Sequence, residues 1–253
     1  MKRISLGKSK VAATMAAIVA AAALLSASVA HAAADDVASL YGPQPPADAS
    51  YLRVLNASSQ AVRVALAGSE VPQTLAPGAV TRFSVLTQGT PTRVTVDGKV
   101  LADAAGSTNA AANAPANAPA NAPPRAGDAV TVALRHDAKG WYATRIVGRY
   151  ERVDGLKATL RAFNFAQGCS AKIGVDGNGP TVFAQVAAGA QDARAINPVS
   201  AKLVGQCGTA ASAALPLPTL AAGDSYSLFV TGDAAKPVLS GARDALAWPP
   251  AAN

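Results

Sequence analysis

Lys157–Gly177 reads KATLRAFNFAQGCSAKIGVDG, and its pattern decides the fold class. An apolar run from Leu160 to Phe165 is followed by Gln167-Gly168, and a second run from Ala171 to Val175 is stopped by Asp176-Gly177. Short apolar runs punctuated by turn residues read as two antiparallel strands. The stretch has an echo upstream. Leu52-Arg53-Val54-Leu55-Asn56 matches Leu160-Arg161-Ala162-Phe163-Asn164, and Val62-Arg63-Val64 follows much as Ala171-Lys172-Ile173 does. Further on, Leu75-Ala76-Pro77-Gly78 before Arg82-Phe83-Ser84-Val85 resembles Leu220-Ala221-Ala222-Gly223 before Ser227-Leu228-Phe229-Val230. Two echoes in the same order imply that one β unit is used twice.

Working outward, Tyr51–Leu55 and Ala61–Leu66 flank a turn-rich loop, Asn56–Gln60, and read as a hairpin. Val80–Leu86, Thr92–Val96 and Lys99–Leu101 follow, the last two joined by Asp97-Gly98. Ala129–Leu134 and Trp141–Ile146 complete the first set. In the second half, Thr181–Val186, Gln191–Val204, Gly205–Thr209, Tyr226–Val230 and Pro237–Leu239 carry strand signals, Ala210–Pro218 reads as a loop, and Ala242–Leu246 as one helical turn. Short, closely spaced, β-branched segments predict an all-β chain of two tandem antiparallel β-sandwich domains, Ig-like or jelly-roll-like, after a signal peptide. The expected boundaries are a leader over 1–32, an N-terminal domain over 33–150 and a C-terminal domain over 151–253. Within the first, 104–127 is an Ala/Pro/Asn-rich insertion that repeats Asn-Ala-Pro-Ala from Asn113 and has nothing to fill a core. It reads as a disordered loop, with an inter-domain linker as the other placement.

The compartment follows from the start of the chain. Lys2, Arg3, Lys8 and Lys10 precede an apolar, Ala-rich run from Val11 to Leu25, and Ala30-His31-Ala32 fits a small-x-small cleavage site. This is the order of a secretory leader, and the run is shorter than the roughly 20 residues of a spanning helix. The precursor carries +7, four of those charges lie in the leader, and +3 remains. No basic stripe with interleaved aromatics marks a nucleic-acid surface. Cys169 and Cys207 are the two cysteines. In an oxidising compartment they read as a disulfide, since two thiols without a nearby histidine fall short of a zinc ligand set and the spacing is far from a redox Cys-x-x-Cys.

Catalytic patterns are missing from the sequence. His136 lies in a polar turn, His136-Asp137-Ala138-Lys139-Gly140, and no Gly-x-Ser-x-Gly elbow accompanies it. Gly174–Gly179 lacks the lysine and helix of a phosphate cradle, and Asn56-Ala57-Ser58, formally a glycosylation triplet, reads as a turn. No cofactor or metal is expected. Arg53 and Arg161 hold the same place in the two units, each three residues before an asparagine. Strand alternation sets each opposite its leucine, which predicts exposure. A solvated face is one reading and contact with an anionic polymer or partner protein the other, with Arg194 similarly placed.

The blocks Leu40-Tyr41-Gly42-Pro43, Tyr51–Ala57, Arg194-Ala195-Ile196-Asn197-Pro198-Val199 and Tyr226–Gly232 resemble the AlgF family of periplasmic alginate O-acetylation proteins. The Asn-Ala-Pro tract and the cysteine pair depart from that family's pattern. The resemblance implies two β-sandwich domains and a non-catalytic periplasmic role. Its partners would be a membrane-bound O-acyltransferase and a periplasmic acetyltransferase, with the polysaccharide itself as a further contact. A carbohydrate-binding or structural envelope module without a link to acetylation is the alternative.

Overall fold

The computed structural model describes residues 44–67, 69–101, 123–150, 155–177 and 179–249. The expected leader, the Leu40–Pro43 block and all but the last residues of the 104–127 tract lie outside them. Eighteen strands are seen among the described residues. In the first half these are β1 (Ser50–Asn56), β2 (Val62–Leu66), β3 (Ser69–Leu75), β4 (Phe83–Leu86), β5 (Val94–Val96), β6 (Lys99–Val100), β7 (Asp128–Asp137) and β8 (Gly140–Arg149). The second half begins with β9 (Ala158–Asn164), β10 (Ala171–Val175), β11 (Thr181–Val186), β12 (Gln191–Ile196), β13 (Lys202–Cys207) and β14 (Ala210–Ala211). It ends with β15 (Leu215–Pro216), β16 (Ser225–Gly232), β17 (Pro237–Arg243) and β18 (Leu246–Ala247). The expected helical turn at Ala242–Leu246 is absent: its first residues finish β17 and its last opens β18.

Four sheets form from these strands, in the orders β18-β4-β1-β7-β8, β3-β2-β5-β6, β12-β9-β16-β17 and β11-β10-β13-β14. The strand pairs expected to be hairpins, β1 with β2 and β9 with β10, are not paired. Each pair crosses from one sheet to the facing one. Consecutive strands pair as hairpins instead at β2–β3, β7–β8, β10–β11, β13–β14 and β16–β17, and at β5–β6 through the expected Asp97-Gly98 turn. Pairing is also not wholly antiparallel, because β7 runs parallel to β1, β16 to β9 and β18 to β4.

Packing stacks the sheets in four layers within Pro45–Asn253. Leu52 and Val54 of β1 face Val62, Val64 and Val96 of the first outer sheet. Leu160 and Ala162 of β9 face Ala171, Ile173 and Leu203 of the second. Between the two sandwiches, the other faces of the inner sheets meet through Leu55, Ala133, Ile146, Phe163, Phe165 and Phe229. Strands β1 and β9 are therefore buried on both sides, which explains why their apolar runs barely alternate.

The halves repeat one topology. In each, the first strand is antiparallel to one neighbour (β4, β12) and parallel to another (β7, β16), which then forms a hairpin (β8, β17). A buried asparagine fixes the crossover in both. Asn56 Nδ2 donates to the carbonyls of Gln60 and Leu75, and its Oδ1 accepts from the Ser58 amide. Asn164 donates to Cys169 and Val186 and accepts from Ala166 in the same way. The turn after each asparagine-held carbonyl is Ala76–Gly78 or Ala187–Gly189, where Gly78 at φ 75° and Gly189 at φ 74° donate to the Asn56 and Asn164 carbonyls. Those φ values favour glycine. The structure thus aligns Leu75–Gly78 with Val186–Gly189, while Ala221–Asp224 aligns with Arg125–Asp128. In that second pair Asp128 and Asp224 each cap the amide three residues back. The second echo read from sequence had joined two different turns.

Candidate functional site

Arg53 stands at the middle of the contact between sandwiches. Alternation does place it opposite Leu52, as expected, but that face of β1 is covered by the second inner sheet. Arg53 is 1% exposed, so the expectation of exposure fails and no surface remains for a polymer or partner. Each of its three guanidinium nitrogens has a hydrogen-bond partner. Nη1 meets Asp244 Oδ1 at 2.6 Å, Nη2 donates to Ser227 Oγ at 2.8 Å, and Nε donates to Thr131 Oγ1 at 3.0 Å. Phe83, Phe163 and Phe229 surround it, with Cζ 4.2, 5.0 and 5.0 Å from their ring centres. Burial pulls its pKa below the ordinary value, and Asp244 opposes that shift. Rings from both halves and an acid close the site to solvent, the setting in which cation–π contacts are strongest.

Arg161 reaches the same acid. Its Nε lies 3.6 Å from Asp244 Oδ2, and its Nη1 donates to the Arg149 carbonyl at 3.1 Å. The repeat explains the meeting, since Thr131 is opposite Arg53 in register as Ser227 is opposite Arg161. Asp244 breaks the symmetry. Gly148 takes the corresponding position at the end of β8, and a Cβ there would run into the Gln191 side chain. One carboxylate consequently serves both arginines.

Arg194 is the site candidate that does lie at the surface. It sits on β12, an edge strand of its sheet, and donates to the Val182 carbonyl at 2.9 Å. Residues 192–195 are all exposed, and the loop beyond them carries Val199 at 51% exposure. The three candidate arginines are therefore not one site: Arg53 and Arg161 share Asp244 inside, and Arg194 stands apart.

Cys169 and Cys207 form the expected disulfide, with Cα atoms 5.4 Å apart. It ties the crossover loop whose carbonyl Asn164 holds to the end of β13. His136 is exposed and packs edge-on against Trp141 at 5.0 Å. Among the described residues no group of three His, Cys, Asp or Glu is arranged to hold a metal, and no helix is long and apolar enough to cross a membrane. Asn56 is fully buried by its backbone partners, which removes the glycosylation reading. Sequence reasoning missed Asp244 entirely, and also missed Ser227, Thr131 and Phe229 as partners of Arg53. The repeated Leu-Arg-x-x-Asn was the available signal, because it marks the two arginines as equivalent.

These features define a class: an all-β protein of two β-sandwiches joined face to face through a buried ionic and aromatic centre. No family model matches the chain, and no curated protein does. Among solved structures it is similar to the C-terminal domain of AlgF from P. aeruginosa, at 26% identity and a TM-score of 0.30, over 35% of this chain and 98% of that one. A putative cell adhesion protein from Bacteroides ovatus matches over 80% of this chain and 99% of its own, at 9% identity and a TM-score of 0.22.

Proposed function

We propose that this protein is a non-catalytic periplasmic adaptor in the O-acetylation of an exopolysaccharide, alginate or a related polymer. It would dock a periplasmic acetyltransferase and a membrane-bound O-acyltransferase. The reading is supported by the blocks that resemble the AlgF family. One of them, Tyr51–Ala57, is interior β1 and speaks for the fold. The other specific block, Arg194–Val199, is an exposed sheet edge and the loop that leaves it, and this observation carries the proposal. An edge strand presents unpaired backbone donors and acceptors to which a partner strand can add. The disulfide accords with export to an oxidising compartment.

The test is co-purification of tagged full-length protein with the acetyltransferase from envelope extracts, beside measurement of polymer acetyl content in a deletion strain. Recovery of the transferase and loss of acetyl groups are expected. Failure of both sinks the reading, and direct binding of the purified protein to alginate without partners would favour the carbohydrate-binding alternative.

A further inference from the structure

Strand β12 (Gln191–Ile196) has β9 on one side and, among the described residues, no strand on the other. The repeat shows what that side can take. In the first sandwich β4 holds the place of β12, since Leu52 is opposite Ser84 as Leu160 is opposite Arg194. The outer edge of β4 is filled: β18 lies along it, and the Phe83 amide donates to the Ala245 carbonyl. Ala193 is the counterpart of Phe83. Its amide meets no strand and donates instead to Asp192 Oδ1 at 2.8 Å. Ladder parity agrees. The Asn164 amide donates to the Ala190 carbonyl, and alternation from that pair turns the backbone groups of Asp192 and Arg194 toward β9 and those of Gln191, Ala193 and Ala195 outward. Residues 192–195 are all exposed. One edge of the repeat is thus filled from within the chain, and its equivalent is open.

We propose that the open edge of β12 pairs antiparallel with β12 of a second copy, about a two-fold axis at Ala193. The charges select this occupant and this register. Asp192 and Arg194 are two apart on the strand and share a face. With the axis at Ala193, Asp192 is opposite the partner's Arg194, and Arg194 opposite the partner's Asp192. Both are pairs without ladder bonds, where side chains come closest. Moving the axis by one residue sets Arg194 against its own copy, or Asp192 against its own, and like charges directly opposite destabilise. The backbone suits the same axis. Ala193 exchanges both of its bonds with the partner's Ala193, and Gln191 does so with the partner's Ala195. The two four-stranded inner sheets then join as one of eight strands. Asp192 gives up the Ala193 amide and Arg194 the Val182 carbonyl to make the new pairs. The ladder therefore supplies the affinity, and the charges fix the register. The inference goes beyond the adaptor reading and does not rest on it; a partner strand and a second copy compete for the same amides.

The experiment is sedimentation velocity of the full mature chain from about 1 to about 300 μM, a range that reveals a micromolar dimer. A shift from monomer to dimer with rising concentration is expected, with slowed hydrogen exchange of the Ala193 and Ala195 amides at the high end. Asp192→Arg and Arg194→Asp each set like charges opposite one another at both symmetry-related pairs, and each should weaken dimerisation by roughly tenfold or more. The two single variants mixed should associate as wild type does, because every pair is again of opposite sign, and so should the double variant. That recovery separates lost pairing from lost folding. A chain that stays monomeric throughout, single variants that dimerise as wild type does, or a mixture that fails to associate would overturn the proposal. Slowed exchange on β12 only when an acetyltransferase is present would overturn it too, since the edge would then be kept for that partner. Capture of the transferase by a chain that never dimerises rejects this inference and leaves the adaptor reading standing. A dimer that captures no transferase upholds this inference and rejects the adaptor reading.

Discussion

Asn56 and Asn164 show how much of a crossover one side chain can hold. Each satisfies two carbonyls and one amide at its crossover, all buried around Asn164, whereas around Asn56 the Leu75 carbonyl is buried and the Gln60 carbonyl and Ser58 amide are only partly so. Substituting Asn56→Ala orphans those groups, at roughly 1–3 kcal/mol for each that water cannot reach. A loss of about 3 kcal/mol in urea unfolding is expected, and the same for Asn164→Ala; a loss under about 0.5 kcal/mol, the scale of an ordinary surface change, would show that water replaces the amide. A second residue-scale prediction concerns pH. The Ala221 amide and then the Arg243 guanidinium hold the Asp224 carboxyl below its ordinary value. A depressed carboxylate adds stability above its unfolded pKa of about 4, and that contribution disappears as pH falls through the folded value. Asp224→Asn should therefore be less stable than wild type at neutral pH, with the two midpoints converging below about pH 4; a gap constant across that range would assign the effect to something other than ionisation. The sequence placed these asparagines correctly in the repeat, but not their function. A polar residue after an apolar run looks like a turn former whether it is exposed or buried.

At the scale of elements, most strands and the tight β5–β6 hairpin were legible, but the pairing at the two crossovers was not. Periodicity reports that a segment is extended, but partners depend on long-range contacts. β1 and β2 are near in sequence yet in different sheets, because the asparagine-held loop lets the chain cross between layers. The short hairpin rule therefore misled at both copies. The disulfide acts on the second of these crossovers, joining its loop to β13 across a sequence separation of 38. In the chain-entropy model a closed loop of that length stabilises by about 4 kcal/mol. The first crossover has Gln60 where the second has Cys169, with Ser58 bonding the Gln60 carbonyl instead. Cys169→Ala with Cys207→Ala should thus lower stability by about 4 kcal/mol. Hydrogen exchange should rise on β10 and β13 more than on β2 and β5. Equal loosening of both outer sheets would mean that the bridge acts on the whole unit rather than on its own crossover.

The burial of Arg53 is a property of the whole molecule, and no reading of one unit could have found it. Alternation names the face of a side chain, while only the placement of the second sandwich says whether that face meets water. The one sequence clue was two-sided apolarity: Leu52 and Val54 point one way and Leu55 the other, as Ala162 and Phe163 do in the repeat. Asp244 is then the residue through which the halves are coupled, since it pairs with Arg53 of the first and Arg161 of the second. Removing it leaves a cation buried among Phe83, Phe163 and Phe229 without its counter-charge, and breaking such a pair costs roughly 3–5 kcal/mol. That cost falls on the contact between sandwiches, not on either core. In Asp244→Ala, unfolding followed by far-UV circular dichroism and by Trp fluorescence should separate into two transitions where wild type shows one. Adding Arg53→Met should recover part of the loss, because the stranded charge is gone and an apolar side chain fills its place among the rings. If Asp244→Ala instead unfolds in one transition with an unchanged denaturant slope, the two sandwiches are held by Leu55, Ile146 and the phenylalanines alone, and the ionic centre contributes only locally.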